Sequence, residues 1–358
     1  MFFDASKPQA NHRSPGTAEG VRRAAVPPCA RREPRPARAT AALVPIVTAL
    51  TVVGMLAGIG GCDAPEAGPA ERPPAGRLRV VVTTTIVADL VRQIGGERVE
   101  VDCLMAPGID PHSYKATPRD AERIAAADLV VASGLHLEGR LADLLGRLGR
   151  RRPVLAVGDA LPRELLIIAG ADVADPHVWF DASLWARTAP VVADALARLD
   201  ASGAASFHAA AADLVRRLES LHATLAARIA AIPAERRVLV TAHDAFRYFG
   251  RAYDIEVVAV QGASTESEAG LGDINRLVDL LVTRGIPAVF VETSVSDRNM
   301  RALVEGAAAR GHAVATGGRL YSDSLGGPGE ADTLEKALTA NVDTIVAALG
   351  PPARGERP

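Results

Sequence analysis

The chain has 358 residues, 48% of them apolar but only 4% aromatic, and a formal net charge of -2. Its length allows two domains, each with its own core, built mostly from Ala, Val, Leu and Ile. The near-neutral balance hides an Arg- and Pro-rich block over residues 1–40 against a mildly acidic remainder. Set just before an apolar run, that block reads as a targeting n-region and not as a nucleic-acid arm, so no nucleic-acid partner is expected.

The apolar run from Ala41 to Gly61 ends at Cys62. Ile59-Gly60-Gly61-Cys62 is similar to a bacterial lipobox, in which the cysteine becomes the lipidated N-terminus. The alternative is an uncleaved anchor, because the stretch approaches the ~20 residues that span a bilayer. Small residues at the end of the run and a Pro/Glu/Ala tether after it favour the lipoprotein. Gly60 is an unusual lipobox residue, and the long tail before the run leaves a start codon further downstream open. Cys29 falls in the discarded tail and Cys103 in an apolar run (VEVDCLM). No intrachain disulfide is then possible in the mature protein, and Cys103 reads as a small buried hydrophobe.

From Arg77 onward β-branched runs alternate with amphipathic ones, the pattern of parallel sheets wrapped by helices. Strands are expected at Leu78 to Thr85, Val99 to Met105, Asp128 to Ser133 and Pro153 to Val157, with helices at Ile86 to Ile94, Pro118 to Ala126 and Leu137 to Leu148. Ala204 to Ile232 contains no Gly or Pro and repeats apolar residues at helical steps, which predicts one helix about 40 Å long. His208 and His222 ride on it and are expected to face solvent. The second half repeats the rhythm: strands VLVTA, IEVVAV, AVFVET and HAVAT, with helices near Ala245 to Tyr253, Ala269 to Thr283, Asp297 to Arg310 and Thr333 to Leu349. The expected fold is α/β, with two lobes, each holding a mostly parallel four-stranded sheet flanked by helices, bridged by one long rigid helix. The expected segments are 1–61 (basic tail and signal peptide), 62–76 (lipidated tether), 77–203 (first lobe), 204–232 (linking helix), 233–350 (second lobe) and 351–358 (tail).

Three histidines and an aspartate stand in short distinctive settings: Gly-Ile-Asp-Pro-His112, Asp-Pro-His177-Val-Trp, Thr-Ala-His243-Asp-Ala-Phe and Tyr-Ser-Asp323-Ser. A lone loop histidine is more often structural than a ligand. Two copies of Asp-Pro-His change that, since a proline before each histidine stiffens the loop that holds the ring. Imidazole and carboxylate suit a first-row divalent ion, and strand carboxyl ends are where open α/β sheets gather ligands. Two candidates fall in each lobe, so an ion would sit in the cleft between them.

The segments PGIDPHSYKATPRDAERIAAADLVVASGLHLE, DPHVWFD, TAHDAFRYFGRAYDIEV, QGASTESEAGLGDI, VFVETSVSDRNM and LYSDSLG, in this order, resemble the metal-binding lipoproteins of zinc/manganese ABC importers, the cluster A-I solute-binding family. The resemblance covers about Leu78 to Leu349. It implies His112, His177, His243 and Asp323 as the metal ligands and an ABC permease with its ATPase as partners. It also implies attachment to the cytoplasmic membrane by a lipid on Cys62, and no catalysis. A monomer is expected. Manganese-favouring members typically carry glutamate at the third ligand position, where this chain has His243. Three imidazoles lean towards zinc, with manganese open and iron a further option. Against that lean, residues 157–175 lack the His-rich loop often found in zinc-type members.

Glu266 and Glu268 are expected to cap the helix near Ala269 and His136 and His312 to be structural, while Glu292, at the end of a buried strand, is a candidate to orient a ligand histidine. Two rival functions stand beside metal capture. A zinc hydrolase would use the same residues, but Asp323 fills the fourth position and no HExxH segment is present; a metal-dependent surface adhesin rests on the family alone.

Overall fold

The computed structural model describes residues 76–149, 152–169, 172–267 and 269–351. Cys62, the expected signal peptide and most of the tether lie outside the described residues.

The first lobe grows from valine-rich runs. β1 (Leu78–Val82) leads through Thr84, whose hydroxyl accepts from the Val87 amide at 3.3 Å, into α1 (Thr85–Gly95). Then come β2 (Val99–Cys103), α2 (Pro118–Ala126), β3 (Leu129–Ala132), α3 (Gly139–Leu148) and β4 (Val154–Ala156). α2 starts where predicted, because Pro118 pre-sets its first turn and Thr117 and Asp120 form a reciprocal capping box. The four strands are parallel in the order β2-β1-β3-β4, with Leu78 opposite Val99 and Val80 opposite Leu129. Val80, Val81 and Val82 are all buried, as a central strand covered on both faces requires.

Two helices were not predicted: α4 (Ala182–Ala186) and α5 (Thr188–Leu199). Pro190 sits in the first turn of α5, where its missing N–H costs nothing. The Asp181 carboxylate starts α4 by accepting from the Ser183 and Leu184 amides at 3.1 and 3.2 Å.

α6 (Ala204–Ala230) is the spine, 27 residues that bury Phe207, Ala211, Leu214, Leu218, Leu225 and Ile229 along one face. The second lobe follows as β5 (Val238–His243), α7 (Arg247–Tyr253), β6 (Glu256–Gln261), α8 (Leu271–Arg284), β7 (Ala288–Glu292), α9 (Arg298–Ala309), β8 (Ala315–Leu320) and α10 (Leu334–Leu349). α6 packs on α1, α4 and α5 from the first half and on α7 and α10 from the second. Asp89 on α1 accepts from the Leu334 amide at 2.9 Å, and Arg217 of α6 pairs with Glu335 of α10, so the three helices are tied by polar contacts as well.

In the second lobe the ladders close as two parallel pairs, β5 with β6 and β7 with β8, where one four-stranded sheet was expected. β5 and β7 pack side by side, but at the end nearest the histidines the Glu292 carboxylate takes the His243 amide at 2.9 Å, a place a backbone carbonyl would hold in a continuous ladder. The strand expected at His312 to Thr316 lies instead at Ala315–Leu320 and takes in Gly317 and Gly318. A Cβ on Gly317 would stand 2.7 Å from the Phe290 ring, so glycine is required for the two strands to pack.

The scarce aromatics are concentrated rather than spread. Phe180 and Phe246 approach at 4.2 Å between ring centroids, Phe249 and Tyr253 at 4.7 Å, and Trp179 lies 5.3 Å from the His177 ring. All are buried, forming a rigid floor beneath the histidines.

Candidate metal centre

Each of the four candidate side chains is seated by its own local device. In both Asp-Pro-His segments the aspartate accepts from the backbone amide of the histidine two residues on: His112 to Asp110 at 2.9 Å and His177 to Asp175 at 3.0 Å. This Asx turn, stiffened by the intervening proline, fixes the direction in which each ring leaves the chain. His243 is the last residue of β5. Asp323 sits in the loop after β8, whose backbone is clamped at Tyr321 by buried Asn341 through two hydrogen bonds of 2.8 Å. Ser322 next to it accepts from the Trp179 indole through its carbonyl at 3.1 Å.

These elements bring all four side chains together. One donor atom from each of His112, His177, His243 and Asp323 lies within 4.8 Å of the other three. The His112 and His177 Nε2 atoms are 3.2 Å apart; Asp323 Oδ1 is 3.5 Å from His177 Nε2, and Oδ2 is 3.2 Å from His243 Nε2 and 3.9 Å from His112 Nε2. In a regular tetrahedron such edges correspond to a centre about 2.0–2.4 Å from each donor, the range of first-row metal bonds to imidazole and carboxylate. His177 and His243 are 0% exposed, Asp323 1% and His112 4%, so whatever lies among them is sealed from bulk water.

The polar accounting also fits a cation. Among the described residues, Asp323 Oδ1 is buried without a hydrogen-bond partner and His243 Nε2 faces only the Asp323 carboxylate, an arrangement that is costly unless a ligand completes it. The far nitrogens are handled by carboxylates: His177 Nδ1 bonds Asp175 Oδ1 at 2.8 Å, and His243 Nδ1 lies 2.6 Å from Glu292 Oε2. Such partners turn Nε2 inward and raise the basicity of the ring. Burial pushes His112 down to about 4, against the pull of Asp323, so it is neutral and ready to donate a lone pair. Burial also works against charging His243, but the Glu292 and Asp323 carboxylates overcome it and hold the imidazole well above its usual value. Burial would likewise raise Asp323, yet the surrounding imidazoles, His243 first, keep it far below the carboxylate range.

All four candidates were expected to follow strand ends, but His177 does not; it heads a 3-10 turn at Val178–Phe180 after a long irregular stretch. Glu292, a candidate for orienting a ligand histidine, does stand against His243. The matching role of Asp175 was missed, although its place two residues before His177 was the signal. Glu266 does not cap α8: it pairs with Arg140, and the Asp273 carboxylate takes the Gly270 amide at 3.0 Å instead. Glu268 lies outside the described residues. His208 is exposed and bonds Asp194 at 2.8 Å, whereas His222 is half-buried against the Tyr253 ring and not solvent-facing, because that face of α6 meets α7. His312 bonds the Ile286 carbonyl at 2.8 Å, and His136 occupies a turn at φ 64°. Cys103 is partly buried, its thiol pushed up to about 11 by burial.

The family model for the periplasmic component A of zinc-uptake complexes matches residues 80–348. The manganese-binding lipoprotein MntA of Bacillus subtilis is 43% identical over 291 residues, covering 81% of this chain and 94% of that protein. The zinc-binding protein TroA of Treponema pallidum is 39% identical over 305 residues, covering 85% and 98%. The solved structure of periplasmic zinc-binding TroA from the same organism superposes with a TM-score of 0.76 at 40% identity, covering 77% of this chain and 100% of that one. A buried three-histidine, one-aspartate cluster on a two-lobed α/β frame, with a family match across almost all described residues, places the chain in the family of the periplasmic component A of zinc-uptake complexes.

Proposed function

We propose that this protein captures a divalent first-row metal ion outside the cytoplasmic membrane, on His112, His177, His243 and Asp323, and hands it to an ABC permease driven by its ATPase. The observation that carries the reading is the sealed set of four donors, one atom from each within 4.8 Å of the others, with Asp323 Oδ1 left without a hydrogen-bond partner. The metal is the cargo, and the protein's work is to bind it and let it go.

Zinc is the preferred cargo, because three imidazoles and one carboxylate suit it best. Manganese is the second reading. The relative named as manganese-binding supports it, as do the two Asp323 oxygens, both turned towards the imidazoles, which leave room for a fifth bond. Metal analysis of protein purified without chelator, followed by competitive titration with zinc and manganese, decides between them. Zinc held more tightly by tenfold or more supports the preferred reading, and the reverse order replaces it.

Lipidation of Cys62 would tether residues 62–76 to the membrane, with lobes at 77–203 and 233–350 joined by the helix of 204–232 and acting as a monomer. The MntA relative is named as a lipoprotein, which supports this arrangement. Loss of lipid labelling in C62A is the corresponding test. The hydrolase and adhesin alternatives draw no support from the relatives, whose names describe metal binding.

A further inference from the structure

The two Asp-Pro-His turns share a backbone device but differ in what the rest of the aspartate does. Asp175 is buried and spends its Oδ1 on the ring of its own histidine. Asp110 instead uses Oδ1 for the His112 amide and Oδ2 for two hydroxyls: Ser113 beside it at 2.8 Å and Thr265, on the loop after β6 in the other lobe, at 2.6 Å. The turn that presents His112 is therefore shaped by a carboxylate whose other oxygen is held from across the cleft. The same loop is held there a second time, where the Gly108 amide donates to Ser324 Oγ at 2.8 Å, next to Asp323. Arg140 of α3 reaches the neighbour of Thr265, Glu266.

Building on the metal-capture reading, we infer that Asp110 is the positioning residue for His112 and that Thr265 sets it from the opposite lobe. The hydrogen bond from Thr265 to Asp110 must then break before His112 can leave the metal. Of the three histidines, His112 is the one whose seat depends on closure. His177 and His243 are oriented by Asp175 and Glu292, which contact the rings themselves. His112 is also the least deeply buried of the three, which makes it the natural first ligand to let go. A short hydroxyl-to-carboxylate bond is among the stronger neutral-to-charged contacts, and its loss should speed opening by roughly tenfold.

The test is the rate of zinc release from the loaded, full-length protein into excess chelator, for wild type, T265A and T265S. T265A should release zinc about tenfold faster, and T265S, which keeps the hydroxyl, at the wild-type rate. The cobalt(II) visible spectrum should be the same in all three, since none of the four ligands is replaced. Release from T265A at the wild-type rate overturns the inference, as does acceleration shared by T265S. If the wild-type protein takes up no zinc, the metal centre itself is wrong and this inference falls with it, an outcome distinct from the other two.

Discussion

Glu292 grips His243 at two points, with Oε1 2.9 Å from the backbone nitrogen and Oε2 2.6 Å from ring Nδ1. One carboxylate thus fixes where the residue sits and which way its ring faces, and it does so from β7, the strand beside the one that carries the histidine. Removing such a partner from a ligating imidazole usually lowers metal affinity about 10- to 100-fold. E292Q is expected to bind zinc weaker by that factor, measured by chelator competition.

The same contact dictates a pH dependence. Despite the opposing effect of burial, Glu292 and Asp323 keep metal-free His243 protonated at neutral pH, so an arriving ion must displace that proton. Affinity should therefore fall as pH drops below the raised value of His243, about tenfold per unit, while His112 and Asp323 add no further proton above about pH 4. Calorimetry in buffers of different ionisation enthalpy should find proton release at pH 7. In E292Q the fall should begin at lower pH.

Trp179 reports on the site. Its ring stands edge-on to His177 at 5.3 Å and its indole N–H is committed to the Ser322 carbonyl beside Asp323. Metal binding should change tryptophan emission in the wild type and in W185F, and leave it nearly unchanged in W179F.

Asn341 holds the Asp323 loop without touching the donor atoms. N341A would leave the Tyr321 amide and carbonyl without their side-chain partner in a half-buried setting, at a cost of roughly 1–3 kcal/mol in denaturant unfolding. A loop that is no longer clamped should also bind zinc more weakly, whereas a change confined to stability would separate the clamp from the site.

Much of this was legible in the chain. Asp-Pro-His written twice, His243 closing a β-branched run and Asp323 in a serine-flanked loop were local signals, and strand ends helped to gather all but His177, which an irregular stretch delivers. The spine was legible because 27 residues with one apolar stripe admit little else. What the sequence concealed depended on contacts remote in the chain. Gly317 and Gly318 looked like loop, although Phe290 needs the missing side chain of the first and Thr344 that of the second. Thr265 against Asp110 and Asn341 against Tyr321 are pairings with no local signature at all.

The central claim is that donors from both halves of the chain make one metal centre. Isothermal titration of zinc into wild type, H112A and D323A tests it most directly. The account predicts one high-affinity ion per wild-type chain and severe loss in each variant, although the two residues lie 211 positions apart. Wild-type affinity and stoichiometry in either variant would contradict it.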